Sequence, residues 1–278
     1  KDVMLTPALQ EAIEQRDVAA LQTFCRLSHP AHIAEVLSAI PPQEIWEVFQ
    51  YLTIELRAKI LSHLDPELQS EMTDILDRTS LARIISAMPP DDRVDVFKKL
   101  PEEKQAVILP ALAYAEREDI RKLASYPEGT AGAVMTSDYA TVFAHQTAAQ
   151  AIEKLRLEAP NKETIYYAYI VDKQRRLLGF VSLKDLILAR PDVQLHAIMH
   201  EEVVAVHVED DQEEAARQIQ KYDLIAIPVV NGDQALVGII THDDALDIIT
   251  QEQTEDMEKF MAITGAHEIG VYLRTPIW

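Results

Sequence analysis

Glycine is absent from positions 1–128. Breaks between elements there fall instead to Pro and Asp, which recur between runs of Leu, Ile, Ala and Val at helical spacing. Cysteine is nearly absent too. The single residue, Cys25, excludes an intrachain disulfide and fits a reducing compartment; with Leu21, Phe24 and Leu27 around it in an amphipathic pattern, it reads as a buried thiol. Basic residues are few, 26 Lys and Arg against 46 Asp and Glu, a formal net charge of −20. That balance argues against nucleic acid and against an anionic membrane surface as the main partner, and makes cations the natural counterpart. No run of about 18 apolar residues occurs, so no transmembrane helix is expected within this chain. P-loop, G-x-S-x-G and H-E-x-x-H motifs are missing, and His29 and His32 have no second cluster to complete a zinc site, so no enzyme chemistry is expected.

What is present is repetition. A chain of 278 residues suggests two domains, and each half carries its own internal repeat. "IAEVLSAIPPQEIWEVFQYL" (33–52) aligns without gaps with "LARIISAMPPDDRVDVFKKL" (81–100). Each unit reads as a short helix, a Pro-Pro break and another helix, because Pro stops one helix and is tolerated at the first position of the next. Stacked units of this kind make an α-helical superhelix over 1–128, with Trp46, Phe49 and Phe97 in its core.

Near "SYPEGTAGAVM" (125–135) the pattern changes, and β-rich runs such as "TIYYAYIVD" (164–172) and "LIAIPVVN" (224–231) alternate with helices. "IVDKQRRLLGFVSLKDLI" (170–187) aligns without gaps with "VVNGDQALVGIITHDDAL" (229–246), pairing Gly179, Ser182 and Asp185 with Gly238, Thr241 and Asp244. Each half reads strand, helix, strand, strand, helix.

The last acid-rich stretch, "THDDALDIITQEQTEDME" (241–258), holds seven carboxylates and no Lys or Arg. On a helix Asp244, Asp247, Glu255 and Glu258 form one stripe, flanked by Glu252 and Asp256. Carboxylates about 5 Å apart repel by about 3 kcal/mol at an effective dielectric near 20. A divalent cation would relieve that repulsion and stabilise the packed state.

The doubled G-h-h-S/T-x-x-D resembles tandem CBS (cystathionine β-synthase) domains. The order of parts, a Pro-broken helical array, then "YPEGTAGAVMTSDYATV", "APNKETIYYAYIVD", "DDQEEAARQIQKYDLIAIPVV" and "THDDALDIITQEQTEDMEKF", resembles the cytosolic half of the MgtE family of magnesium transporters and channels. The resemblance implies an α plus α/β organisation: helical superhelix at 1–128, CBS domains at 129–192 and 193–250, and a long connecting helix at 251–278 leading toward a membrane domain outside this chain. It further implies a homodimer through the CBS domains and a place at the cytoplasmic face of the membrane. Implied Mg²⁺ ligands are Asp91, Asp95, Asp211, Glu213, Asp223, Asp244, Asp247, Glu252, Glu255 and Asp256. ATP is an implied second ligand, at Tyr167, Ser182, Lys184, Asp185 and Thr241. Relatives can carry an acid where this chain has Lys59, and Arg where it has Lys184. Three functions follow as expectations: a Mg²⁺-sensing gate, an adenine-nucleotide sensor, and an interaction scaffold.

Overall fold

The computed structural model describes residues 11–13, 15, 17–159 and 162–272, without the side chains of 256, 258, 260 and 262–272. The expected approach to a membrane at 273–278 lies outside the described residues. The chain divides into two units, Lys1–Ala124 and Ser125–Trp278. Among the described residues no helix is long and apolar enough to cross a membrane.

In the first unit the sequence repeat is visible as matched helices. α1 spans Val18–Leu27. Then α2 (Pro30–Leu37), α3 (Pro42–Phe49), α4 (Ile54–Ser62) and α5 (Pro66–Ile75) are matched, in the second copy of the repeat, by α6 (Arg78–Ser86), α7 (Pro90–Lys99), α8 (Glu102–Ile108) and α9 (Tyr114–Leu123). Pro occupies the first turn of α2, α3, α5 and α7, and Asp17, Thr53, Asp65 and Asp77 cap helix starts through their side-chain oxygens. Most helices pack on the next but one (α2 on α4, α3 on α5, α4 on α6, α6 on α8, α7 on α9), the contact pattern of a stacked array. Phe49 and Phe97 are buried in its core, whereas Trp46 is half-buried with the Arg57 guanidinium 5.9 Å from its ring centre.

Equivalent positions also do equivalent work. Arg57 donates to the carbonyls of Gln50 and Leu52, and Gln105, its counterpart in the second copy, donates to those of Lys98 and Leu100. Each closes off the carbonyl end of the preceding helix, which its own helix cannot satisfy. The repeat breaks at Ile45, whose counterpart is Arg93. That arginine is buried and satisfied by the carbonyls of Ile85, Ser86 and Met88, with Asp119 at 3.9 Å.

The second unit contains α10 (Ala131–Val134) and then two matched halves. The first is β1 (Tyr139–Val142), α11 (Ala148–Glu158), β2 (Thr164–Val171), β3 (Leu177–Ser182) and α12 (Leu183–Leu188). The second is β4 (Val206–His207), α13 (Gln212–Lys221), β5 (Ala226–Val230), β6 (Leu236–Thr241) and α14 (His242–Tyr272). Each forms a three-stranded sheet with its first two strands parallel and its last two antiparallel. The hairpins match atom for atom. Asp172 Oδ1 accepts from the Gln174 and Arg176 amides, Asn231 Oδ1 from those of Asp233 and Ala235, and Arg175 and Gln234 take φ of 64° and 61°.

The halves lock by reciprocal crossing. The Thr136 backbone pairs with Ile239 of the other half, and His200 pairs with Phe180. The crossing segments pass directly over Gly238 and Gly179: a Cβ on Gly238 would lie 2.4 Å from Met135 Sδ, and one on Gly179 2.6 Å from the His200 carbonyl. A shared core of Tyr139, Tyr169, Val171, Ala226, Leu236 and Ile239 fills the space between the sheets. The acidic helix expected from residue 251 is continuous with the one that follows β6, so α14 runs unbroken from His242.

Candidate functional site

The repeated S/T-x-x-D motif is first of all a helix cap. Asp185 Oδ2 accepts from the Ser182 amide at 2.9 Å and from its hydroxyl at 2.6 Å, while Ser182 Oγ accepts from the Asp185 amide at 3.1 Å. Asp244 Oδ2 likewise accepts from the Thr241 amide and hydroxyl at the start of α14. In the first half the cap has an added partner: His200 Nε2 lies 3.0 Å from Asp185 Oδ2. Desolvation would raise the Asp185 pKa, but the hydrogen bonds from Ser182 and His200 outweigh it and hold the carboxyl below its ordinary range.

Beside this cap lies a cleft between the two halves. Tyr167, Tyr169 and Phe180 line it from the first half; Val203, Val204, Leu224, Ala226 and Pro228 line it from the second. By the repeat, Ala226 and Pro228 stand where Tyr167 and Tyr169 stand, so one wall is aromatic and the other aliphatic. Tyr167 packs edge-on against Phe180 with centroids 5.2 Å apart, and His200 stacks on Phe180 at 4.9 Å. Tyr169 is fully buried, and its hydroxyl has no hydrogen-bond partner among the described residues. Burial pushes its pKa above the ordinary tyrosine range. Of the residues assigned to a nucleotide, Tyr167 lines the cleft and is the register partner of Ser182, so Ser182 and Asp185 sit at its edge; Lys184 lies on the same first turn of α12. Thr241 is buried in the other half's cap. The chemistry suits a flat, partly polar ligand: aromatic faces, a buried donor and a nearby cation. In this conformation the cleft volume is about 30 Å³, room for a water rather than a base.

The acids fall into separate settings. α13 packs closely on α14, and Gln212 Nε2 donates to Glu252 Oε1 at 3.0 Å, tying the acidic helix to the first turn of α13. That turn is preceded by Asp211, whose Oδ1 caps the Glu213 amide, and it carries Glu213, which pairs with Arg217. Asp211, Glu213 and Glu252 are thus drawn to one helix-helix seam. Asp223 stands apart in the turn after α13, with φ of 50°. Asp244 is engaged in its cap, Asp247 is exposed, and Glu255 accepts from Gln251 and faces Lys259 at 3.6 Å. The Asp256 side chain lies outside the described residues. In the first unit Asp91 is half-buried in the first turn of α7. Desolvation raises the Asp95 carboxyl pKa against the pull of Lys99 and Lys98, and the solvent reaching its exposed side chain limits that shift. Lys59 is exposed on α4. Among the described residues no three His, Cys, Asp or Glu side chains converge as a metal-binding group. The carboxylate donors suit Mg²⁺, which is content with few protein ligands and several waters.

Sequence reasoning passed over Tyr169, Phe180, His200 and Gln212. The first was signalled by the period-two alternation of Tyr167, Tyr169 and Val171 on one strand face. His200 and Gln212 carried no local signal, because their partners Asp185 and Glu252 are distant in the chain.

The family description "MgtE intracellular N domain" matches residues 28–129, and "CBS domain" matches 131–192 and 195–251. The magnesium transporter MgtE of Thermus thermophilus is 36% identical over 262 residues, 93% of this chain and 58% of that protein. That of Bacillus subtilis is 34% identical over 233 residues, 84% of this chain and 52% of that protein. The chain therefore spans a little over half the length of these two relatives. Among solved structures, that of the soluble part of a magnesium transporter superposes with a TM-score of 0.86 at 30% identity, covering 91% of this chain and 99% of that one. The cytosolic domain of the Mg²⁺ channel MgtE in complex with ATP gives 0.82 at 36% identity, covering 87% and 99%.

Proposed function

The chain belongs to the MgtE family of magnesium transporters, and from that membership we propose that it is the Mg²⁺-sensing regulatory region of such a transporter, at the cytoplasmic face of the membrane. The observation that carries this reading is the Gln212–Glu252 tether, which draws an acid-rich helix onto a second acidic helix start. Mg²⁺ binds carboxylates across that seam, from Asp211 and Glu213 at the start of α13 and from Asp244, Asp247, Glu252, Glu255 and Asp256 along α14. Asp91 and Asp95, within the helical unit, and Asp223, within the second, are further oxygen donors suited to the same ion. Bound ion offsets the mutual repulsion of the acids, so its affinity for the packed arrangement stabilises that arrangement. At low Mg²⁺ the acids repel, α14 is released, and the attached pore opens; at high Mg²⁺ the pore closes. The sensed ion is the transported ion, which gives negative feedback. The region has no catalytic role.

The chain acts as a homodimer through its CBS halves. Ile187 and Leu188 on α12 and Leu246 on α14 expose apolar side chains suited to a second copy. Small-angle scattering tests the reading: the radius of gyration should fall between chelator and saturating Mg²⁺, and high monovalent salt should reproduce only part of the change. An unchanged radius overturns it.

A second role, adenine-nucleotide binding, is favoured by the buried, unpartnered Tyr169 hydroxyl beside an aromatic wall. The base enters between Tyr167 and the aliphatic wall after the cleft widens, with Ser182, Lys184 and Asp185 at its edge and Thr241 at the equivalent position of the other half. Calorimetry with ATP, at fixed Mg²⁺, decides this role separately from the first.

A further inference from the structure

We propose that His200 is a proton-controlled latch on the cleft between the two halves of the second unit: charged, it holds the Asp185 carboxylate and the Phe180 ring in the closed arrangement, and neutral, it yields Asp185 to the ribose hydroxyls of a nucleoside. The inference rests on the nucleotide reading of that cleft and adds what governs entry to it.

His200 lies on the segment that leads into β4, and Val203 and Val204, three and four residues on, form part of the cleft's aliphatic wall. The segment is pinned to β3 there, since the His200 amide donates to the Phe180 carbonyl at 2.8 Å and the Phe180 amide to the His200 carbonyl at 3.0 Å. The imidazole adds two contacts: a stack on Phe180 with centroids 4.9 Å apart and 21° between planes, and Nε2 at 3.0 Å from Asp185 Oδ2. Phe180 is itself a cleft wall, so the histidine touches both the aromatic wall and the carboxylate at its edge. A cleft volume of about 30 Å³ admits no base until these parts shift.

Donor count makes His200 the part that gives way. A ribose diol meets a carboxylate with one hydroxyl on each oxygen. Asp185 Oδ1 has no protein donor among the described residues, whereas Oδ2 accepts three: the Ser182 amide at 2.9 Å, the Ser182 hydroxyl at 2.6 Å and His200 at 3.0 Å. The Ser182 bonds cap α12 and hold its start. The His200 side chain is 53% exposed and can swing into solvent.

Charge sets how firmly it holds. Desolvation would raise the Asp185 pKa, but the bonds from Ser182 and His200 keep it below the ordinary range, so the carboxylate stays ionised and Nε2 carries the proton between them. A bond from imidazolium to that carboxylate is stronger than one from neutral imidazole, and the imidazolium also gains from lying over the Phe180 face. The other charged or titratable groups nearby are Lys184, which precedes Asp185 on α12, Glu201 and Glu202, which follow His200 on its own segment, and Tyr167 on β2, which packs edge-on to the same Phe180 ring. Among the described residues Asp185 alone is within ion-pair reach of the His200 ring. Acidification across the ordinary histidine value of about 6.5 therefore tightens the latch.

The test is isothermal calorimetry of the full chain with adenosine, which carries no group titrating between about pH 5.5 and about pH 8. Wild type should bind it about three- to tenfold more tightly at the higher pH. His200→Gln keeps a neutral donor and His200→Phe keeps the stack on Phe180; each should bind equally at the two pH values, at or above the wild-type affinity at the higher one. 2′-Deoxyadenosine, which lacks the diol, should show little pH dependence with wild type. A pH dependence that persists in both variants, one that is equal for the deoxynucleoside, or a wild-type affinity that rises on acidification overturns the proposal. A second readout needs no ligand. Protection of the His200 amide from hydrogen exchange, corrected for the intrinsic rate, should be about threefold or more greater at the lower pH in wild type and equal at both in His200→Gln. Equal protection in wild type overturns the latch. Adenosine that binds at neither pH, with protection still pH-dependent, overturns the nucleotide reading and upholds the latch.

Discussion

His200 Nε2 stands 3.0 Å from Asp185 Oδ2, and the residue that matches His200 across the repeat is Thr136. The two caps are alike in their hydroxyl and amide contacts, and the first is joined by His200. Desolvation pulls the Asp185 pKa up, yet the hydrogen bonds from Ser182 and His200 hold it below the ordinary carboxylate range. A depressed folded pKa contributes stability that is present above the unfolded pKa and lost as pH falls through the folded one. Asp185→Asn should therefore destabilise the second unit near neutral pH, and the difference from wild type should shrink as pH falls through the ordinary carboxylate range and on through the lowered folded pKa. Urea unfolding at a series of pH values measures this, and a difference independent of pH contradicts it.

Much of this fold is legible in the sequence because repetition is legible. The helical repeat predicts which helices match, and the repeat in the second unit predicts two matched strand-strand pairs, though the turn chemistry of Asp172 and Asn231 emerges only in the structure. Long-range relationships are less accessible. The reciprocal crossing over Gly179 and Gly238 depends on segments that meet only after both sheets have formed. The S/T-x-x-D motif reads as a ligand site and serves as a cap, since the same oxygens suit both tasks. The acids of 241–258 read as one stripe, yet Asp244 is engaged in a cap and Glu255 faces Lys259. Side-chain neighbours decide that division, and helical periodicity does not contain them.

The two equivalent glycines should respond differently to alanine. At Gly238 the added Cβ meets the buried Met135 side chain, whose Sδ end can turn aside although its Cγ and Cβ are also close; at Gly179 it meets the His200 carbonyl, which is fixed by its pairing with Phe180. Gly238→Ala should cost about 1–2 kcal/mol and Gly179→Ala about 3 kcal/mol or more. Chemical denaturation gives both values, and a reversed order would refute the crossing as the cause.

Tyr169→Phe removes a buried hydroxyl that has no partner among the described residues. Deleting an unsatisfied polar group should be neutral or stabilising by up to about 1 kcal/mol, where loss of a made hydrogen bond would destabilise. If the cleft takes a nucleotide, the same substitution should weaken ATP binding by about three- to tenfold while stability holds or rises. Calorimetry and thermal unfolding on one preparation separate the two effects. A destabilised variant would show that the hydroxyl is satisfied by an ordered water.

The seam between α13 and α14 gives the sharpest test of ion sensing. Asp211→Asn, Glu213→Gln and Glu252→Gln together keep side-chain size and remove three negative charges. Gln212 keeps an acceptor, because a glutamine at 252 still offers its amide oxygen. In the absence of Mg²⁺ the variant should differ little from wild type, since relieved repulsion offsets the lost Glu213–Arg217 pair. Wild type should gain about 1.4 kcal/mol at Mg²⁺ ten times its dissociation constant. The variant should gain much less and should not show Mg²⁺-dependent protection of residues 250–261 from proteolysis. Calcium is the control: it accepts more ligands and looser geometry than Mg²⁺, so a seam that holds a hydrated ion through few carboxylates should respond to both. A triple variant that keeps the full Mg²⁺ response would move the sensing site off this seam, to acids such as Asp244, Asp247 or those of α7.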